Sequence, residues 1–316
     1  MLKKMGIRRG VNLGGWLSQC DYSADRLNNF IVADDFARIA SWGIDHVRIP
    51  VDYNVLEDDR GGYDAPGWER LDFALAQCDK HGLKAVIDLH KTAGFSFDNG
   101  EMETGFFVDE GYQQRFCRLW EQIARRYGHL SDRVVFELLN EVTSPDFIGV
   151  WNRVAKEAIG RIRVYAPDTL ILVGSYHNNA AHAVKELDAP ADDRVLYNFH
   201  CYDPLHYTHQ GAPWVDVLDK SARVAFCDSG VTQAYFEELF ASAIEAAERN
   251  HTTLYCGEYG VIDVVPTADA LEWFKAINAV FEKHGIARCV WSYRAMDFGI
   301  ADERWDVLRD ELLKVL

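Results

Sequence analysis

No stretch of this 316-residue chain is apolar for long enough to cross a bilayer as a helix, and no linker or low-complexity segment divides it. Basic charge is scarce. With 33 Lys+Arg against 49 Asp+Glu, the formal net charge of -16 repels nucleic acid and anionic lipid surfaces, so a neutral substrate fits best. Paired cysteines are missing too: Cys20, Cys78, Cys117, Cys201, Cys227, Cys256 and Cys289 are odd in number, scattered and without C-x-x-C spacing, which reads as reduced, buried thiols. The first ten residues carry charge but no apolar stretch or cleavage site follows, and together with the thiols this argues for a cytoplasmic protein. There is also no G-x-S-x-G elbow, G-x-G-x-x-G, Walker loop or H-E-x-x-H, so serine-hydrolase, dinucleotide, P-loop and zincin chemistries lack their signatures.

The chain does have a globular balance, 48% hydrophobic and 26% charged, and a length that α/β barrels reach as one domain. Short β-rich apolar runs alternate eight times with segments of helical period. The strands are expected at 10–13, 46–50, 85–89, 134–138, 170–173, 195–199, 254–257 and 287–291. Helices are expected at 34–41, 68–81, 110–127, 147–165, 180–187, 232–250, 268–284 and 304–316. This alternation predicts a single-domain (β/α)8 TIM barrel over residues 1–316, with a doubly wound open sheet as the alternative. The longest irregular stretches, 91–109 and 201–230, follow the third and sixth strands and would overhang the barrel mouth.

Two glutamates stand at expected strand ends: Glu141, after Val134-Val-Phe-Glu-Leu-Leu-Asn140, and Glu258, in Leu254-Tyr-Cys-Gly-Glu258. Paired carboxylates of this kind are the minimum equipment for cleaving a glycosidic bond. Asn140-Glu141 has a local alternative as a helix cap, given Thr143, Ser144 and Asp146 just beyond. Around Glu258, Gly257 and Gly260 permit close approach of backbone and ligand. Arg48 can keep a neighbouring carboxylate ionised or serve a structural ion pair. His90 and His200, with Tyr202, occupy equivalent strand ends and suggest one polar cleft, and Trp291 offers a stacking platform or core filler. A second chemistry is a metal bound by His200, His206 and His209 with Asp203 nearby, although the spacing is irregular.

Taken jointly, Gly10-Val-Asn-Leu-Gly-Gly-Trp16, Arg48, Asp88-Leu-His90, Asn140-Glu141, His200, Tyr202, Gly257-Glu258 and Trp291 resemble glycoside hydrolase family 5, the cellulase family of clan A, over essentially the full length. The passage Tyr197-Asn-Phe-His-Cys-Tyr-Asp-Pro204, with Thr208-His-Gln210 and Trp214, looks like the clostridial cellulase C type of endoglucanase. That type carries a helical subdomain after the sixth strand; here about 50 residues separate Tyr202 from Leu254, so the insertion is expected to be absent or much reduced. The resemblance implies a retaining double displacement with Glu141 as general acid/base and Glu258 as nucleophile. It places Asn140 on the sugar 2-hydroxyl and Arg48, His90, His200, Tyr202 and Trp291 around the substrate, without metal or organic cofactor.

The expected activity is an endo-β-1,4-glucanase acting on β-glucan or cello-oligosaccharides, in a monomer. An exo-acting β-glucosidase or oligosaccharide hydrolase, a β-mannanase, an inactive carbohydrate-binding barrel and a metal-dependent hydrolase are the alternatives.

Overall fold

The computed structural model describes residues 1–98 and 103–316; part of the expected loop at 91–109 thus lies outside the described residues. Eight parallel strands close in sequence order: β1 Arg9–Asn12, β2 His46–Asp52, β3 Lys84–Lys91, β4 Val134–Glu137, β5 Ile171–Val173, β6 Val195–Cys201, β7 Leu254–Tyr259 and β8 Ala287–Val290. Pairing of β1 with both β2 and β8 completes the ring, so the barrel is realised and the open sheet is not.

Between the strands run α1 Ala33–Ser41, α2 Ala65–His81, α3 Glu110–Tyr127, α4 Ile148–Arg163, α5 Gln233–Arg249 and α6 Thr267–His284, and α7 Arg309–Val315 follows β8. Their ends follow local chemistry. The Asp109 and Thr232 side chains accept backbone N–H groups at the starts of α3 and α5, and Gly82 and Gly285 end α2 and α6 in the left-handed conformation. Two expected helices differ. The segment expected at 180–187 forms a 3₁₀ helix, Ala181–Glu186, and the one expected from 304 splits into a 3₁₀ turn, Glu303–Trp305, before α7.

Burial separates the two strand faces. Val47, Ile49, Ile87, Leu89, Phe136 and Phe199 pack outward into one core with the helices, whereas Val86, Val135, Leu172, Leu196 and Tyr255 fill the barrel floor. Alternation then carries Arg48, Asp88, His90, Glu137, Asn198 and His200 to the inner face above that floor. β7 is the exception. Tyr255 faces inward and Cys256 outward, so strict alternation would turn Glu258 out, but register shifts against both β6 and β8 place it opposite His200. One extra residue in a strand reverses the faces beyond it, and here that brings the carboxylate inside.

The stretch after β6 holds a single helical turn, Leu205–Thr208, and a 3₁₀ turn, Phe226–Asp228, before α5, with no helical subdomain. Gln210 pins it by bonding the Val224 backbone through both amide atoms.

Candidate active site

Arg48, fully buried on β2, is the hub of the mouth. Its Nε and Nη2 donate to the two oxygens of Glu137 at 2.7 Å each, and Nη1 donates to Glu258 Oε1 at 2.6 Å and to Asn12 Oδ1 at 2.9 Å. Nη2 also donates to Asn140 Oδ1 at 2.8 Å and lies 3.0 Å from Asp88 Oδ2. Burial alone would weaken this cation, but Asp88, Glu137 and Glu258 hold its proton affinity well above normal. Glu137 and Asp88 were not singled out as site residues from sequence. Glu137 sat inside an apolar run; the available signal was its inward register, two residues after Val135, and the Asn198 amide completes its coordination at 2.7 Å.

Glu258 has its second oxygen, Oε2, bonded by the Tyr202 hydroxyl at 2.8 Å. Glu141 does not end β4; it lies in the loop beyond, with φ +47, a left-handed conformation that non-glycine residues rarely adopt. Its approach is set by the Asn140 backbone, whose N–H bonds the β3 carbonyl of Leu89 at 3.2 Å, and its Oε1 meets His200 Nδ1 at 2.8 Å. The capping alternative falls on Ser144, whose hydroxyl accepts the Asp146 N–H. One donor atom from each of Glu141, His200 and Glu258 lies within 4.8 Å of the others. Burial pushes both glutamates up to about 7; Asn178 opposes this at Glu141, and His200 and Arg48 oppose it at Glu258. Only Glu258 is in direct contact with a cation, so it is the carboxyl of the pair better able to stay ionised.

His90 bonds Asp88 through Nδ1 at 2.6 Å and stacks parallel to Trp291, ring centroids 5.9 Å apart. Burial, reinforced by Arg48, keeps it neutral. Its Nε2 and the Asn140 Nδ2 are buried without a protein partner among the described residues, which leaves them free for substrate hydroxyls. Trp291 lies just past β8 and is only 6% exposed, its indole resting against Gly14. Gly257 and Gly260 admit protein groups rather than a ligand: added Cβ atoms would meet the Asn198 amide and the Trp291 carbonyl.

The sequence-level metal set is not assembled. His200 turns into the barrel, His206 is exposed, and His209 packs against Tyr202 and Phe298. The metal-capable group among the described residues is Glu141, His200 and Glu258, the same atoms as the carboxylate pair.

Comparison with known proteins agrees with this geometry. The family Cellulase (glycosyl hydrolase family 5) matches residues 11–297. Cellodextrinase A of Ruminococcus flavefaciens is 60% identical over 91% of this chain and 86% of its own length. Endoglucanase C of Acetivibrio thermocellus is 32% identical over 99% of this chain and 98% of its own. Among solved structures, the cellulose synthase subunit Z of Clostridioides difficile superposes with a TM-score of 0.84 at 26% identity, covering 98% of this chain and 99% of that one. A family match over most of the chain and relatives aligned over most of their length agree with the facing carboxylates on a closed barrel: the protein is a glycoside hydrolase and belongs to the cellulase family, glycosyl hydrolase family 5.

Proposed function

We propose that this enzyme is a retaining β-1,4-glucanase that cleaves cello-oligosaccharides and soluble β-glucan chains by double displacement. The carrying observation is the carboxylate pair: oxygens of Glu141 and Glu258 within 4.8 Å, far below the separation of about 6.5 Å or more that inversion needs to admit a water. Glu258, oriented by Arg48 and Tyr202, attacks the anomeric carbon as the glycosidic bond breaks. Glu141 gives its proton to the departing oxygen. Glu141, now a carboxylate, then takes a proton from water, whose oxygen displaces Glu258 from the anomeric carbon and restores both groups.

Asn140 has its carbonyl oxygen occupied by Arg48, so its amide faces the sugar as a donor, suited to a 2-hydroxyl bond that strengthens in the transition state. His90 Nε2 meets a further hydroxyl. His200 orients Glu141, and Trp291 walls the subsite on the non-reducing side.

The names of the relatives favour short β-1,4-linked chains, and the open stretch after β6 leaves the groove without a subdomain wall. Seven cysteines without a disulfide among them support a reducing, cytoplasmic setting. The deciding experiment is product analysis on cello-oligosaccharides, lichenan, laminarin and mannan. Cleavage of the first two with retained anomeric configuration is expected. Preference for mannan or laminarin would overturn the substrate, and inverted product the mechanism.

A further inference from the structure

Glu141 accepts two side-chain hydrogen bonds, and one comes from outside the strand ends. Asn178 Nδ2 donates to Glu141 Oε2 at 3.0 Å. Asn178 belongs to the loop after β5, where His177, Asn178 and Asn179 adopt φ of 49, 57 and 59° in succession. Three consecutive left-handed residues without a glycine are strained, and asparagine tolerates the conformation best. The loop is also laced to the segment following Glu141: Asn178 N–H bonds the Val142 carbonyl at 3.0 Å and His177 N–H that of Thr143 at 3.2 Å. Backbone strain and backbone lacing both serve to deliver one amide to one carboxyl oxygen.

We propose that Asn178 is a positioning residue for the acid/base step, holding the Glu141 carboxyl in place and favouring its ionised form. This rests on the reading of Glu141 as acid/base given above.

The other oxygen is held by His200. Burial pushes that imidazole down to about 4, so it is neutral near pH 7, and with Asn179 Nδ2 facing its Nε2 at 3.4 Å the ring proton lies on Nδ1, donating to Oε1. Both carboxyl oxygens therefore accept hydrogen bonds, an arrangement that supports the carboxylate required to activate water. The charged surroundings push in both directions. Arg48 from β2 favours ionisation, whereas Asp88 and Asp98 from β3 and its loop, Glu137 from β4 and Glu258 from β7 oppose it; Tyr202 stays protonated. Against a majority of negative neighbours, a neutral donor on Oε2 is a means of keeping the acid/base from holding its proton too tightly.

Asn178→Gly tests this because glycine adopts φ near +57° freely, so the loop is kept and the amide lost. The basic limb of the kcat/KM profile on an aryl cellobioside with a poor leaving group should move up by about one pH unit, a tenfold change in proton affinity. With 2,4-dinitrophenyl cellobioside, where breakdown of the glycosyl-enzyme limits turnover, the acidic limb of kcat should move up as well. Asn178→Asp, of equal size, should shift both further in the same direction. Parent-like limbs in both folded variants, with Glu141→Ala still rescued by azide, would overturn the role of Asn178 alone; a Glu141→Ala enzyme fully active on the poor leaving group would remove the acid/base reading beneath it.

Discussion

Replacing the Arg48 guanidinium with a lysine ammonium keeps the charge but loses the fork that spans Glu137 and Glu258 at once. Arg48→Lys is therefore expected to weaken the contact with Glu258 and raise the acidic limb of kcat/KM, because the nucleophile holds its proton more readily. An unmoved limb in a folded variant would assign Arg48 to structure. Arg48→Met is the poorer probe: it strips the cation from three buried carboxylates, and breaking a buried pair costs about 3–5 kcal/mol. The two glutamates should part company in kinetics. Glu258→Ala loses turnover outright, while Glu141→Ala keeps activity on substrates whose leaving group needs no proton and regains part of its rate with azide. Azide rescue of Glu258→Ala with retained configuration would exchange the roles. Glu141, Glu258, His90, Asn140, His200 and Tyr202 were legible because each is a polar residue at or near the end of an apolar run, and Arg48 because it is a lone cation in one, although β2 runs on past it to Asp52. Glu137 and Asn178 were not. The first looks like one charge inside a strand, and the second reaches the site only through a left-handed backbone that residue types do not encode.

At the scale of elements, seven of the eight expected helices appeared as α-helix in whole or part, because capping residues and periodicity are local signals. The fifth became a 3₁₀ helix packed on β6 and α5, a tertiary outcome that propensity does not decide. The strand shifts in β7 were equally hidden, since Gly257 at the shift reads as well for close approach of a ligand as for a bulge, yet without the bulge Glu258 would face the helices. Two glycines test how closely the elements are fitted. A Cβ on Gly67, in the first turn of α2, would come 1.6 Å from the Val55 carbonyl oxygen, so the helix must shift or the turn beneath it must open. Gly67→Ala is expected to destabilise by at least the 1–3 kcal/mol typical of overpacking. Gly160, exposed on α4, has nothing within 4 Å of its added Cβ, and Gly160→Ala should stabilise by about 1 kcal/mol through helix propensity. Denaturant midpoints at constant slope would measure both. A Gly67→Ala midpoint equal to that of the parent would mean that α2 sits less tightly than described.

For the whole molecule, the buried charges that equip the mouth also set how stability responds to pH. Asp88, Glu141 and Glu258 are pushed up to about 7, chiefly by burial. Above the unfolded carboxylate value of about 4, the folded chain therefore binds more protons at these groups than the unfolded chain, and their contribution to stability falls as pH rises through 7. His200 and His209 act oppositely. Burial pushes both down to about 4, so below the unfolded histidine value of about 6.5 the unfolded chain binds the extra protons and stability is lost on acidification. Two imidazoles offset only two of the three carboxyls in mildly acidic solution, so the folded chain keeps an excess of about one proton until the carboxyls themselves ionise around pH 7. The Tm is expected to decline gradually from about pH 5 and to level off above about pH 8. Glu141→Gln removes one of the charges responsible while keeping size, although its single amide oxygen can accept from only one of Asn178 and His200. It should shallow that decline and raise the Tm at pH 8 by about 3 °C, from roughly 2 kcal/mol recovered at about 1.5 °C per kcal/mol for a chain of this length. This places stability and turnover in opposition at the same atoms, since the variant that melts higher is the one that lacks its acid. A Tm that stays flat or climbs from pH 6.5 to 8.5, or a Glu141→Gln enzyme with the parent's slope, would show that the site's carboxylates do not carry the burial cost assigned to them.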